Sequence, residues 1–166
     1  MAIKDALLPE FDHEMAVTRR VLERVPFSDP AWKPHVKSMT IAELAAHIAN
    51  IPSWVPITLS RDRFDMDSVD RESLHATHEN AAALLAEFDR HVAAARTHIA
   101  EASDAQLMQS WSLTSGEQVV LTMPKAGVLR SFVFNHTVHH RGQMSVYLRL
   151  RDVPVPSIYG PSADEQ

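Results

Sequence analysis

The residues best equipped for chemistry lie in one stretch, FNHTVHHRGQMSVYLRL, residues 134–150. It places three histidines, His136, His139 and His140, within five consecutive positions. An α-helix turns about 100° per residue, so His140 lies about 40° from His136, Gln143 about 20° to the other side and His139 about 60° off. Leu129, Phe132, Val133, Met144, Tyr147 and Leu150 share the His136/His140 side. Two imidazoles therefore sit one turn apart in an apolar stripe, the i,i+4 spacing at which two helical histidines can reach one ion. A metal needs further ligands, and His47 is the candidate from another helix. It lies in AELAAHIANIPSW, with Leu44, Ile51 and Trp54 on its own face. Three neutral imidazoles suit a divalent Zn, Ni or Fe ion and leave room for water. Water on such an ion can lose a proton near neutral pH and become a nucleophile. The competing reading is a pair of packed core histidines, each of which must find hydrogen-bond partners. Protons compete with the ion for imidazole, so loss of the metal is expected around the ordinary histidine pKa of about 6.5.

Neighbours of the three histidines carry their own alternatives. Gln143 can hydrogen-bond a bound water or substrate, and His139 can act as a base or orient a ligand. These two are the candidate catalytic residues. Glu43, one turn before His47, can hold that histidine or add a fourth ligand, but it also sits where a capping-box partner belongs. Asn50 and Trp54 lie one and two turns beyond His47 as candidate pocket residues. Arg141 falls about 140° from His136 and is expected to point away from an ion, into an ion pair or an interface. Phe134 and Val138 share that back side, so the helix should be buried on two faces. His75 and His78 stand among Arg71, Glu72 and Glu79 and read as part of a solvated face. His13, His35, His91 and His98 have no evident partner. There is no Gly-rich phosphate loop, no GxSxG and no recognisable serine triad.

The elements that must position these groups read mainly as helices. Residues 5–25 form the first, ended by Val25-Pro26. A Pro-rich connection follows, then a second helix with Thr40 as N-cap and Glu43 at the capping-box position. Pro52 and Pro56 kink or end it. Residues 60–72 are charged and aperiodic and read as a loop. A third helix starts with Thr77 as N-cap and carries an Ala/Leu stripe. Two short β-rich runs flank Ser115-Gly116 and suggest a hairpin. Pro124 then opens a fourth helix over 125–151, and the tail is extended. The expected fold is all-α, a four-helix bundle with a small hairpin before the last helix, in one domain over 1–166.

Composition bounds the function. The chain has 166 residues, 45% apolar and 22% charged, with 4 Gly, 10 Pro and net charge −5, ordinary values for one globular domain. No Lys/Arg cluster suggests nucleic-acid binding. No apolar run is long enough for a membrane span, and the N-terminus lacks a hydrophobic signal core. With no Cys, disulfides, thiolate catalysis and thiolate ligands are excluded. The expected compartment is the cytoplasm.

NHTVHHRGQMSVYLRL followed by VPVPSIYGPSADE resembles the C-terminal signature of the DinB-like (YfiT-related) family. RRVLERVP, WKPHVKSMTIAELAAHIANIPSW and the WSL before the last helix resemble its earlier segments, so the likeness runs along nearly the whole chain in order. The resemblance implies a four-helix bundle with a three-histidine divalent-metal site, its ligands at His47, His136 and His140. It implies a metal-dependent enzyme acting on a small-molecule substrate, of thiol-dependent S-transferase or hydrolase type. Any thiol would be an external low-molecular-weight one. It also implies a homodimer. The alternative is a non-catalytic metal- or ligand-binding bundle of the stress-response kind. The 60–72 segment and the tail around Tyr159 are candidates for the pocket walls.

Overall fold

The computed structural model describes residues 1–70 and 77–165. Helix α1 spans Ile3–Leu22, α2 Ile41–Asn50, α3 Trp54–Ser60, α4 Ala81–Glu101, α5 Asp104–Leu107, α6 Lys125–Val128 and α7 His136–Leu150. Strands β1 (Arg63–Asp65), β2 (Ser110–Ser115) and β3 (Gln118–Pro124) form one sheet in the order β1-β2-β3. Helices α1, α2, α4 and α7 pack on one another around the core. The architecture is mostly helical, but it departs from a simple four-helix bundle with a two-stranded hairpin. The second helix is broken into α2 and α3, and the hairpin gains a third, parallel strand.

Local chemistry explains several boundaries. Thr40 Oγ1 accepts from Glu43 N at 3.1 Å, and Glu43 Oε2 accepts from Thr40 N at 2.7 Å. This reciprocal pair satisfies two of the amides that a helix start leaves unpaired. α2 ends at Asn50 because Pro52 cannot continue its ladder, and a short 3₁₀ turn over Ile51–Ser53 redirects the chain into α3. Gly116, at φ +56°, turns the hairpin between β2 and β3.

Four expectations need correction. The 60–72 segment is not all loop: Arg63, Phe64 and Asp65 pair in parallel with Ser112, Leu113 and Thr114. Residues 71 and 72 of that segment lie outside the described residues. The N-cap of α4 is Asn80, not Thr77, because its side chain accepts from Ala83 N at 2.9 Å. The fourth helix is not uniformly α. Between α6 and α7 the chain makes a π-helical stretch, Leu129–Asn135, which shifts every residue before His136 relative to the α-helical wheel. Leu129 and Val133 go into the core, while Phe132 faces a cavity beside His136. Leu150, expected on the buried stripe, is 56% exposed at the end of α7.

The back of α7 carries a buried ion pair. The Arg141 guanidinium, 1% exposed, pairs with Glu14 of α1 at 2.6 Å and donates to Glu14 O and Thr18 Oγ1, both at 3.1 Å. It also donates to Tyr159 Oη at 2.6 Å, and Tyr159 in turn donates to the Glu14 carboxylate at 2.9 Å. Phe134 packs on Phe11 of α1, ring centres 5.9 Å apart. The second apolar face of the last helix is thus covered within the chain by α1 and the returning tail. On the other side, Tyr147 Oη donates to Met39 O at 3.2 Å, tying α7 to the start of α2.

A buried charge is tolerated only with its partner. Glu14→Leu should therefore cost about 3–5 kcal/mol, and Glu14→Leu/Arg141→Met should recover most of that loss. Urea denaturation of the two variants checks this. A double variant no more stable than the single one would show that the hydrogen bonds of Arg141, not its charge balance, hold the helix.

Candidate metal centre

The structure brings together the three histidines that the sequence selects. His47 lies in the last turn of α2, and His136 and His140 in the first turns of α7. His47 Nε2 is 2.9 Å from His136 Nε2, and His140 Nε2 is 2.8 Å from the same atom. The three form a group able to hold a metal ion, each offering one nitrogen. Contacts this short between imidazole nitrogens are ones that a shared cation stabilises, since lone pairs otherwise face one another unless a proton lies between them.

Burial tunes the donors. His47 and His136 are each pushed down to about 4, first by desolvation and then by the neighbouring imidazoles. His140 is also lowered, chiefly by burial, against the opposing effect of the hydrogen bond it gives to Gln143. Neutral imidazole is the form that binds metal, so the site is charge-free and ready over a wide pH range. The sequence-based expectation of proton competition near 6.5 moves down accordingly for all three histidines.

Gln143 and His139 are not among the residues that line the cavity described below. Gln143 Oε1 is 2.7 Å from His140 Nδ1, and Gln143 Nε2 is 3.1 Å from His139 Nε2. An amide oxygen can only accept, so His140 donates through Nδ1 and presents a bare Nε2 to the site. An amide nitrogen can only donate, so His139 accepts through Nε2. The exposed His139–Gln143 pair therefore sets the tautomer and ring orientation of a ligand, the way outer partners commonly fix metal-bound histidines.

Glu43 Oε2 is engaged by the Thr40 amide, as its capping role requires. Among the described residues, the metal-ready group contains histidines alone. Trp54, where α3 begins, sets its ring edge against His47 and His136, with centroids 5.9 and 5.3 Å away. His91 of α4, without an evident partner in the sequence, is buried and donates through Nδ1 to Ala49 O at 3.0 Å. It thereby holds the end of the helix that carries His47. His13 stacks on Tyr159, with ring centres 6.5 Å apart.

A cavity of about 720 Å³ opens beside His47 and His136, within the size range of small-molecule sites. Its walls come from α2 and α3, the sheet, the last-helix region and the segment entering α4. Asn50 and Trp54 line it as expected, and so do Phe64, Met66 and Val69 of the 60–72 segment. Tyr159 does not; it lies on Arg141, at the back of α7. The sequence missed three contributors. Trp111 and Leu113 of β2 reach the cavity because the sheet folds over it. His78, read as solvated, also lines it, with its side chain only 14% exposed and Nε2 2.9 Å from Glu87 Oε2. Its companion in that reading, His75, lies outside the described residues.

Comparison with known proteins places the fold and the family. Uncharacterized protein YrdA of Bacillus subtilis (strain 168) is 49% identical over 39 residues, which is 24% of this chain and 23% of that protein. The chain thus matches less than a quarter of that relative's length. The crystal structure of a DinB-like protein from Bacillus cereus ATCC 10987 superposes with a TM-score of 0.73 over 95% of this chain and 98% of that one. At 21% identity, that likeness speaks to the fold. The family model described as the DinB family matches residues 1–166, from the first residue to the last, and the chain belongs to the DinB family.

Proposed function

We propose that the protein is a metal-dependent enzyme that transfers a group to, or hydrolyses, a small molecule bound in the cavity beside His47, His136 and His140. The observation that carries this reading is the convergence of three Nε2 atoms from two helices, with two of the three residues, His47 and His136, lining an apolar cavity. A divalent Zn, Ni or Fe ion held by three neutral imidazoles would keep its charge and an open position, supplying Lewis-acid polarisation and lowering the pKa of a protic group. The chain's own residues do the rest. Gln143 holds His140 in the ligating tautomer, Trp54 walls the histidines, and the cavity excludes bulk water from the substrate. The nucleophile in this reading is water or an external low-molecular-weight thiol, because the chain has no Cys. The same proposal includes a homodimer and a cytoplasmic setting. No helix among the described residues is long and apolar enough to cross a membrane.

Metal content is the direct test. Tag-free protein should hold about one transition-metal ion per chain, and His136→Ala/His140→Ala should hold almost none. Gln143→Leu should keep the stoichiometry while weakening affinity about 10–100-fold, as expected for a residue that orients a ligand. Elemental analysis and chelator competition read both. A chain that takes up no ion after incubation with Zn²⁺, Ni²⁺ and Fe²⁺ would overturn the proposal. Tight binding with neither thiol transfer nor hydrolysis would leave the non-catalytic binding bundle.

The lowered imidazoles also set a pH signature. In the unfolded chain histidine titrates near 6.5, whereas His47 and His136 in the folded chain titrate at about 4. Between those values the unfolded state binds more protons, so stability rises with pH across that window and levels off above it. Metal-free protein should therefore lose stability as pH falls from about 6.5 toward about 4, and His47→Gln/His136→Gln should show a flatter profile. Denaturant midpoints measured against pH check this.

A further inference from the structure

The metal centre and its cavity leave the C-terminal tail without a role, yet the tail is tied down with care. Beyond α7 it closes into a loop over residues 155–165, in which two carboxylates each serve twice. Asp164 accepts from Val155 N at 2.8 Å and pairs with Arg149 of α7. Glu165 accepts from Ser157 N at 3.0 Å and pairs with Arg24, just past the end of α1. Arg20 of α1 donates to Ser157 O at 2.9 Å, and Ser162 Oγ closes the loop on Val155 O at 2.7 Å. Chain ends are ordinarily loose unless fastened in this way.

What the loop delivers is Tyr159. The residue is 64% exposed, so it buries little apolar surface and its contribution rests on the hydroxyl. Burial of that hydroxyl, and then its bond to Glu14, raise it above the ordinary tyrosine range, so it keeps a proton to donate. It donates to the Glu14 carboxylate while accepting from Arg141. One oxygen thus joins both members of the buried ion pair, and it comes from outside both helices. Arg141 directly follows His140 in the chain. A side-chain atom about 6 Å from a helix axis moves about 1 Å when the helix rolls by about 10°. A ligand constellation tolerates only about half that displacement.

We propose that Tyr159 is a positioning residue for the metal centre: its hydroxyl, held in place by the tail loop, fixes the Arg141 guanidinium and through it the roll of α7 that brings His140 Nε2 to within 2.8 Å of His136 Nε2. The tail is then a clamp on the site, applied from the back of α7. The inference rests on reading the three histidines as a metal site, and it assigns a role to a residue that touches none of them.

Tyr159→Phe keeps the ring and removes the joint. Zinc affinity of the full chain, read by chelator competition, should fall about tenfold with the stoichiometry unchanged, the lower end of what outer partners of a ligand contribute. The visible absorption bands of the cobalt(II)-loaded chain, which report ligand geometry, should shift. Arg24→Gln/Arg149→Gln, which unties the loop and leaves Tyr159 itself unaltered, should weaken zinc in the same direction. Unchanged affinity there would overturn the part given to the loop. Ile99→Val, a core change in α4, sets the level expected of lost stability alone: the urea midpoint should drop while affinity and bands stay as they are. The proposal is overturned if Tyr159→Phe matches the unaltered chain in affinity and bands, or if Ile99→Val loses as much affinity as Tyr159→Phe. If Tyr159→Phe fails to fold, Arg24→Gln/Arg149→Gln decides by the same two readouts. A chain that takes up no zinc sinks the metal reading by itself. The roll of α7 is then read in the metal-free chain from the ¹⁵N resonances of the His136 and His140 rings, which should move in Tyr159→Phe. Coincident resonances in the two chains would overturn the positioning role as well.

Discussion

A guanidinium with 1% of its surface exposed is the constraint around which the rest is arranged. Such a charge is stable only where every donor finds an acceptor and a counter-charge lies close by. Glu14, Thr18 and Tyr159 meet that requirement from α1 and from the tail. The ion pair therefore fixes how α7 is rolled about its axis. With Arg141 committed to α1, His136 and His140 can only point to the opposite side, toward α2 and His47. Tyr147 reaching Met39 O and His91 reaching Ala49 O anchor the two ends of α2 against its neighbours. The geometry of the histidines is thus inherited from hydrogen bonds that none of them makes.

The site balances burial against access. Desolvation keeps the imidazoles neutral, the state in which nitrogen donates to a cation. All three are nonetheless only part-buried, and two of them, His47 and His136, border the adjoining cavity. The broken second helix contributes to both. Pro52 turns the chain so that Trp54 stands beside His47 and His136 while the rest of α3 forms a wall. The sheet closes another wall, and its anchorage is polar. Buried Lys125 donates to Leu59 O at 3.2 Å and pairs with Asp62 at 2.9 Å, joining the end of α3 to the start of α6.

Much of this is legible in the residues themselves. Thr40 and Glu43, Pro52, the Ser115-Gly116 turn and the His136/His140 spacing are local signals, and each acts where it stands. The outward direction of Arg141 follows from helical geometry alone, as does the choice of His47. Other features depend on partners distant in sequence. β1 is three residues long, and β2, which it pairs with, lies far along the chain, so nothing around Arg63 announces a strand. His78 reads as solvated because its sequence neighbours are charged, yet its side chain is only 14% exposed and bonds to Glu87 of α4. Gln143 stands beside His140 as its helical angle implies, but its role follows from which amide atom meets the ring, a detail no spacing encodes. Thr77 and Asn80 are both competent caps, and the structure uses the second. The π-helical stretch has no clear composition signature, and it shifts Leu129 and Val133 relative to the face that a uniform helix would give them.

That stretch sets a strict count along the chain. The wider turn over Leu129–Asn135 lies between two anchorages, α6 on the sheet at Pro124 and Lys125 and α7 on α1 at Arg141, and sets the angular phase between them. Removing one residue between them would rotate the downstream helix by about 100° relative to the upstream part. Either the ion pair or the sheet contact would then have to let go. Substitutions in this segment should thus be tolerated far more readily than changes in its length, which would make 129–135 a segment that varies in letter and not in number.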